Sequence, residues 1–254
     1  MELEGRALLV TGGSRGVGRA IALAAARKGA DVALIYRASA KEAAAAAAEI
    51  RALGRKAFPV AADLADSAAV AAAVDAAAAA LGRLDLLALA AGAVGQWATV
   101  ADLSIEDWNR YVQVDLNGAF YALRAAIPHL RRAQGGAIVA ISSIAAQMCQ
   151  ARNVQGAAAK AGVEAMVRVV AREEARHGIR ANALAIGLTA TDMAQVAFDR
   201  WGPETTERIV QGIPLRRIAT PREVAEVACL MLGPTFAYLT GKVLQLDGGQ
   251  IIAG

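Results

Sequence analysis

Two cysteines in 254 residues, Cys149 and Cys229, cannot build a disulfide framework, and neither belongs to a C-x-x-C pair. A reduced, cytoplasmic setting is therefore expected, with stability drawn from packing alone. Aromatic residues are scarce too, at 4%, which leaves Ala, Val, Leu and Ile to build the core. No apolar run approaches the ~18 uninterrupted residues of a membrane span. The richest alanine stretch, Ala68 to Ala80, is broken by Asp75 and reads as a helix with a small-residue packing face. The opening Met1-Glu2-Leu3-Glu4-Gly5-Arg6 holds no signal-peptide core, so no membrane partner is expected. Basic blocks are missing as well. The net charge of +4 comes from scattered Lys and Arg, and the isoelectric point near 9.3 suits a binder of phosphorylated cofactors or acyl thioesters rather than nucleic acid. No cluster of His, Cys, Asp and Glu has metal-ligand spacing, and no metal is expected.

What is present is alternation. Arg6-Ala-Leu-Leu-Val-Thr11 reads as a buried strand, and a helix from Val17 to Lys28 follows, stopped by Gly29. Val32 to Tyr36 is a second strand and Lys41 to Ala52 a second helix. Further strands are expected at Ala57–Val60, Leu84–Leu89, Ala137–Ile141, Arg180–Ala185 and Val243–Leu246, with the longest helices at Glu106–Arg132 and Asn153–His177. Strands apolar on both faces and separated by helices imply a doubly wound, Rossmann-type α/β fold: about seven parallel strands covered on both sides. No linker or repeat divides residues 1–254, so one domain is expected.

The first strand runs directly into Thr11-Gly12-Gly13-Ser14-Arg15-Gly16-Val17-Gly18 and then into a helix. Gly12 permits the tight turn, Gly16 lets backbone approach a pyrophosphate, and Gly18 lets helix and strand pack closely. At the end of the second strand an acidic residue would favour NAD, but Tyr36-Arg37 stands there, with Arg15 in the glycine loop. Two guanidinium groups near the ribose suit a 2′-phosphate, which favours NADP(H) over NAD(H) for any cofactor bound. The alternative is that both arginines are ordinary surface residues. Asp63 either accepts from an adenine amino group or serves a turn or helix cap.

These motifs resemble the short-chain dehydrogenase/reductase superfamily, in the single-domain type that includes 3-oxoacyl-ACP reductases. The likeness runs end to end: the glycine loop, Asp63-Leu64, Ile141-Ser142-Ser143, Ala157 to Gly162 around Lys160, Ile179-Arg180-Ala181-Asn182, Thr191-Asp192-Met193, and Asp247-Gly248-Gly249. The resemblance implies hydride transfer between a nicotinamide and a carbonyl or carbinol carbon, by a tetrad of Asn, Ser, Tyr and Lys. It assigns Ser to Ser143 and Lys to Lys160, and places Ser14, Arg15, Val17, Leu64, Lys160 and Thr191 beside the cofactor. Tyr should lie one helical turn before Lys160, yet that position is Gly156, and the Asn position is Asp115. Asp115 either pairs with Lys160 or relays protons. Leu89-Ala90-Ala91-Gly92 and Ile186-Gly187 also depart from the family's Asn-Asn-Ala-Gly and Pro-Gly. The residues from 194 to 217 are expected to form a lid.

A positioned general acid contributes roughly 10²–10⁴ in rate, and glycine cannot supply one. The leading expectation is thus a non-catalytic subunit, held in a tetramer with an active paralogue that handles a hydroxyacyl or oxoacyl thioester. The alternatives are an active NADP(H)-dependent ketone or 3-oxoacyl reductase with an unorthodox proton donor, and a dinucleotide-sensing regulator. Tyr111, Tyr121 and Tyr238 are the remaining tyrosines near the relevant elements and are expected to serve packing, Cys149 to be an inert thiol at the cleft border, and His129 and His177 to sit at helix ends.

Overall fold

The apolar run after Arg6 forms β1 (Ala7–Thr11), buried at all five positions. In the computed structural model, which describes residues 2–252, it is central to a seven-stranded sheet. The other strands are β2 (Asp31–Tyr36), β3 (Ala57–Ala61), β4 (Leu86–Leu89), β5 (Gly136–Ser143), β6 (Ile179–Ile186) and β7 (Val243–Leu246), in the order β3-β2-β1-β4-β5-β6-β7. All pairings are parallel, with Leu9 opposite Ala33 and Ser143 opposite Ile186. The expected doubly wound single-domain fold is what forms. Chain order reverses beside β1, the place where such sheets open a crevice at their carboxyl edge.

Two apolar layers explain why both strand faces are hydrophobic. On one side α1 (Gly16–Arg27), α2 (Ala40–Ala52) and α9 (Pro221–Leu232) bury Ile21, Ile50, Val224 and Met231 against Leu8, Val10 and Leu34. On the other, α3 (Ser67–Leu81), α5 (Gly118–Arg132) and α7 (Val154–Glu174) bury Val74, Leu123, Leu130 and Val167 against Leu9, Leu87 and Ile138. Alanine matters because its small side chain lets helices approach closely, as the alanine-rich α3 does against α5. Asp66 starts α3 by accepting from the Ala68 and Ala69 N–H groups, and Gly82 ends it in a left-handed conformation. No described helix is long and apolar enough to cross a membrane.

The structure corrects one expected element. Glu106–Arg132 is not one regular helix: α4 (Ile105–Tyr111) is followed by a π-helical segment, Val112–Asn117, and only then by α5. The widened turn is fastened by Gln113, whose Nε2 donates to the Ala65 carbonyl at 2.8 Å, and by Asn117, whose Nδ2 donates to Gln113 Oε1 at 2.8 Å. Asp115 lies inside this segment and is buried. Single π turns of this kind concentrate at functional sites.

The segment expected as a lid begins slightly earlier, as α8 (Asp192–Gln211), capped by the Thr191 hydroxyl, which accepts from the Ala194 N–H. Gly202, at φ +75° and ψ 167°, breaks α8 before Pro203. Proline cannot continue the hydrogen-bond ladder, and glycine adopts the positive φ freely. A short helix α6 (Ala145–Met148) leads from β5 toward α7.

Candidate functional site

The carboxyl edge of the sheet brings together two sets of residues. The first surrounds the β1–α1 turn. Gly12 and Gly16 have φ of +68° and +55°. A Cβ on Gly12 would stand 2.8 Å from the Ala91 backbone, and one on Gly18 would overlap the Gly12 carbonyl group. Each glycine therefore does what its position in the motif requires. Arg15, the residue before α1, is extended at φ −150° and caps no N–H with its side chain. The first N–H groups of α1 therefore have no side-chain cap and lie at the positive end of the helix dipole, as an anion site requires. Ser14 is buried beneath the turn, Val17 lies on the first turn of α1, and Thr191 faces Gly16, its Cγ2 lying 3.6 Å from where a Cβ there would sit. Arg15 and Arg37 are exposed and carry no ion pair among the described residues. Asp63 takes the turn role: its Oδ1 accepts from the Ala65 N–H at 3.0 Å. Leu64 is buried and packs against Gly118.

The second set lies across β4, β5 and α7. Lys160 Nζ is 3.3 Å from Asp115 Oδ2 and donates to the Ile141 carbonyl at 3.3 Å. Asp115 Oδ1 accepts from the Ala93 N–H at 2.7 Å. Two of the three ammonium hydrogens are thus committed within the chain. Behind this pair a cavity of about 10 Å³, bordered by Leu89, Val114 and Val163, has room for about one water. Ser143 ends β5, and its Oγ accepts from the Ala145 N–H at 3.1 Å, which leaves its own proton free to donate. Gly156 is buried one turn before Lys160 on α7. A Cβ there would overlap Asn153 Oδ1, so the Asn153 carboxamide lies over the position.

Several residues here were not singled out from the sequence. Gln155 is buried, and its Nε2 donates to the Gln96 carbonyl at 2.6 Å. Asp107 Oδ2 accepts from the Gln96 N–H at 2.8 Å, and Arg110 Nη2 donates to the Val94 carbonyl at 2.6 Å. Arg200 Nη1, from α8, donates to the Gly95 carbonyl at 3.1 Å. Beside it Trp201 meets Trp97 edge-on at 5.4 Å and Phe198 at 5.9 Å. In a chain so poor in aromatics, three at one spot was the legible signal.

Burial dominates the electrostatics. Tyr111 packs under Gly95, and burial first, then the Asp115 carboxylate, push its hydroxyl up to about 12. Such a hydroxyl is a weaker acid than an ordinary tyrosine. Burial also pushes the Cys229 thiol up to about 12, and its Sγ lies 4.0 Å from the Ile21 carbonyl. Cys149 is exposed at the end of α6 with φ +51°. Tyr238 is fully exposed, and Tyr121 packs beside the core. His129 pairs with Asp75 at 2.6 Å in the last turn of α5, and His177 ends a short 3₁₀ turn after α7. No group of three or more His, Cys, Asp and Glu among the described residues could hold a metal ion.

The residues fit a dinucleotide at one end. The glycine cradle and open N–H groups suit a pyrophosphate, and Arg15 and Arg37 suit a ribose phosphate. At the nicotinamide end the set is incomplete: no hydroxyl stands at Gly156, and Lys160 already pairs with Asp115 and the Ile141 carbonyl.

Comparison with known proteins agrees with the fold and with the glycine-loop end of the crevice. Residues 12–250 match the family described as enoyl-(acyl carrier protein) reductase. The chain is 35% identical over 251 residues to a 3-oxoacyl-[acyl-carrier-protein] reductase of Synechocystis sp., covering 98% of each chain. It is 34% identical to an L-rhamnose 1-dehydrogenase (NAD(P)(+)) of Sphingomonas sp., again covering 98% of each. Among solved structures, a short chain dehydrogenase of Burkholderia cenocepacia in complex with NADP superposes with a TM-score of 0.91 at 34% identity, covering 98% of this chain and 99% of that one.

Proposed function

The chain belongs to the short-chain dehydrogenase/reductase superfamily, among its 3-oxoacyl-ACP-reductase-like members, and from that premise we propose that it is a non-catalytic subunit of a hetero-oligomeric NAD(P)-dependent dehydrogenase. Its partner is an active paralogue, in a tetramer that acts on a hydroxyacyl or oxoacyl thioester. The heteromeric 2-(hydroxybenzyl)succinyl-CoA dehydrogenase of anaerobic toluene degradation is an assembly of this kind, and this chain resembles its inactive subunit.

One observation carries the reading. Gly156, where the family has its proton-exchanging Tyr, lies one turn from Lys160, whose ammonium is tied to Asp115 rather than left for a cofactor ribose. Ser143 can still donate a hydrogen bond to a carbonyl oxygen, but polarising a carbonyl is only half the task. When bound, the nicotinamide supplies a hydride, and the proton must come from a group with a suitable pKa within hydrogen-bond reach. Tyr111 is a poor substitute, because it is packed under Gly95 and its pKa is raised to about 12. The losses cluster at the reacting end, while α7, which in the family helps to assemble subunits side by side, runs unbroken from Val154 to Glu174.

If a dinucleotide binds, Gly12, Ser14, Gly16, Val17 and Gly18 hold its pyrophosphate, and Arg15 and Arg37 favour NADP(H) over NAD(H). Purification of the tagged chain from its native host tests the assembly. A stoichiometric paralogue carrying Tyr at the position of Gly156 is expected to co-elute, with hydride transfer confined to the mixed complex. A homomer that turns over NADPH, and loses turnover in Ser143→Ala, would instead support an active reductase.

A further inference from the structure

The two ends of the crevice are uncoupled. The loop after β4 is tied by five side chains from α4, the π turn, α7 and α8: Asp115 on the Ala93 N–H, Arg110 on the Val94 carbonyl, Arg200 on the Gly95 carbonyl, and Asp107 and Gln155 on the N–H and carbonyl of Gln96. Trp201 against Trp97 adds an apolar latch between the same loop and α8. Over Gly92, Asp115 Oδ2, the Met193 methyl and the Lys160 ammonium come within 3.4, 3.8 and 3.9 Å of the point where a Cβ would sit. The carboxylate that pairs with Lys160 thus competes for its ammonium with any ribose hydroxyl. At the β1–α1 turn only the Gly13 N–H is tied, to the Ile35 carbonyl at 3.1 Å; no side chain caps α1, and the flanking Arg15 and Arg37 are exposed with no ion pair among the described residues.

We propose that this chain is a half-site: it binds the 2′-phosphoadenosine diphosphate end of a dinucleotide and gives the nicotinamide riboside end no binding energy. In it Lys160 and Asp115 act as positioning residues, a strut that holds Ala93 and the floor of the crevice, rather than as cofactor ligands. The proposal rests on the non-catalytic reading but is separable from it, because it concerns affinity and not assembly or turnover.

Calorimetric titration of the full chain, alone and in its native complex partnered by the active subunit's apo form, tests it. Phospho-ADP-ribose, which is NADP without nicotinamide, is expected to bind within about threefold of NADPH, and nicotinamide mononucleotide not to bind. Arg37→Ala is expected to weaken NADPH and phospho-ADP-ribose by the same factor, about tenfold or more. The double variant Asp115→Asn/Trp201→Ala, which frees Lys160 and unlatches α8, is expected to make NADPH bind at least fivefold tighter than phospho-ADP-ribose. NADPH binding tenfold tighter than phospho-ADP-ribose in the unaltered chain overturns the proposal, as does binding of neither. Coenzyme A, whose phosphate is on the 3′ position, binding as well as phospho-ADP-ribose overturns the 2′ assignment. A homomer without turnover but with equal affinities would sink the assembly reading and leave the half-site standing. A true heteromer with a strong NADPH preference would do the reverse.

Discussion

At the β1–α1 turn no side chain caps the backbone of α1, whereas at the loop after β4 the side chains have closed on the backbone. Both ends lie on the same sheet edge, and both depend on glycine. The difference is in where the polar groups go. Gly12 and Gly16 turn the chain into α1, whose first N–H groups have no capping side chain. From Ala93 to Gln96, by contrast, Asp115, Arg110, Arg200, Asp107 and Gln155 take the backbone for themselves. Buried or half-buried polar groups need partners. Those that the chain does not supply mark where a ligand is wanted, and those that it does supply mark scaffold.

The largest test of that contrast is Asp115→Ala. The Asp115 side chain is 2% exposed and that of Lys160 18%, so the variant strands a mostly buried ammonium and the Ala93 N–H together. Breaking a buried pair from one side costs about 3–5 kcal/mol, or a fall in Tm of roughly 6–20 °C for a domain this size. Arg37→Ala at the other end touches an exposed residue without an ion pair and should shift stability by no more than about 0.5 kcal/mol. Denaturant unfolding of both variants makes the comparison. A cost below about 1 kcal/mol for Asp115→Ala would mean that the strut holds nothing.

Next in size is Gly18→Ala. Its new methyl meets the Gly12 carbonyl, which is backbone and cannot swing aside. Overpacking of this kind costs about 1–3 kcal/mol, and the displaced turn should lose phospho-ADP-ribose affinity as well. The same substitution at Gly156 should go the opposite way. There the methyl meets the end of the Asn153 side chain, which can rotate, and Ala in a helix interior is favoured over Gly by up to about 1 kcal/mol. Gly156→Ala is therefore expected to raise Tm by about 1–4 °C with nucleotide affinity unchanged. A destabilised Gly156→Ala would show that the glycine is required by packing, not merely tolerated.

The sequence made one of these ends more legible than the other. Gly12, Gly16 and Gly18 have spacing and context that follow from the geometry of a strand entering a helix, so a local pattern sufficed. The strands were readable for the same reason, since each is a short apolar run that needs no distant partner to be recognised. The π turn was not: Val112 to Asn117 contains no Gly or Pro, and the break depends on Gln113 reaching the Ala65 carbonyl, 48 residues away in the chain. Gln155 and Arg200 were equally hidden, because each looks like an ordinary polar surface residue until the fold brings Gly95 and Gln96 beside it. Asp63 shows the converse. A carboxylate in the expected place had two plausible uses, and its hydrogen bond to the Ala65 N–H fills the local one.

The smallest effect lies outside both ends, where the segment after α8 is anchored to α9. Arg217 Nη1 and Nη2 pair with Glu223 at 3.0 and 2.6 Å, and Glu223 closes a capping box with Thr220 at the start of α9. The hydrogen bond from Arg217, followed by those from Thr220, lowers the Glu223 carboxyl from its ordinary 4.5 to about 2. A depressed carboxylate contributes stability that is present above its unfolded value and lost as pH falls through the folded one. The window is thus about pH 4.5 down to 2. Glu223→Gln should be slightly less stable than the unaltered chain at pH 7, and the gap in Tm should shrink steadily below pH 4.5. Because the pair is exposed, the effect should also weaken in high salt. Hydrogen exchange separates it from the two ends compared above. At pH 7 Glu223→Gln should loosen the amides after Gly212 while leaving Ala93 to Gln96 as protected as in the unaltered chain, and simultaneous loosening of both would mean that the loop depends on the segment after Gly212 and not only on Asp115.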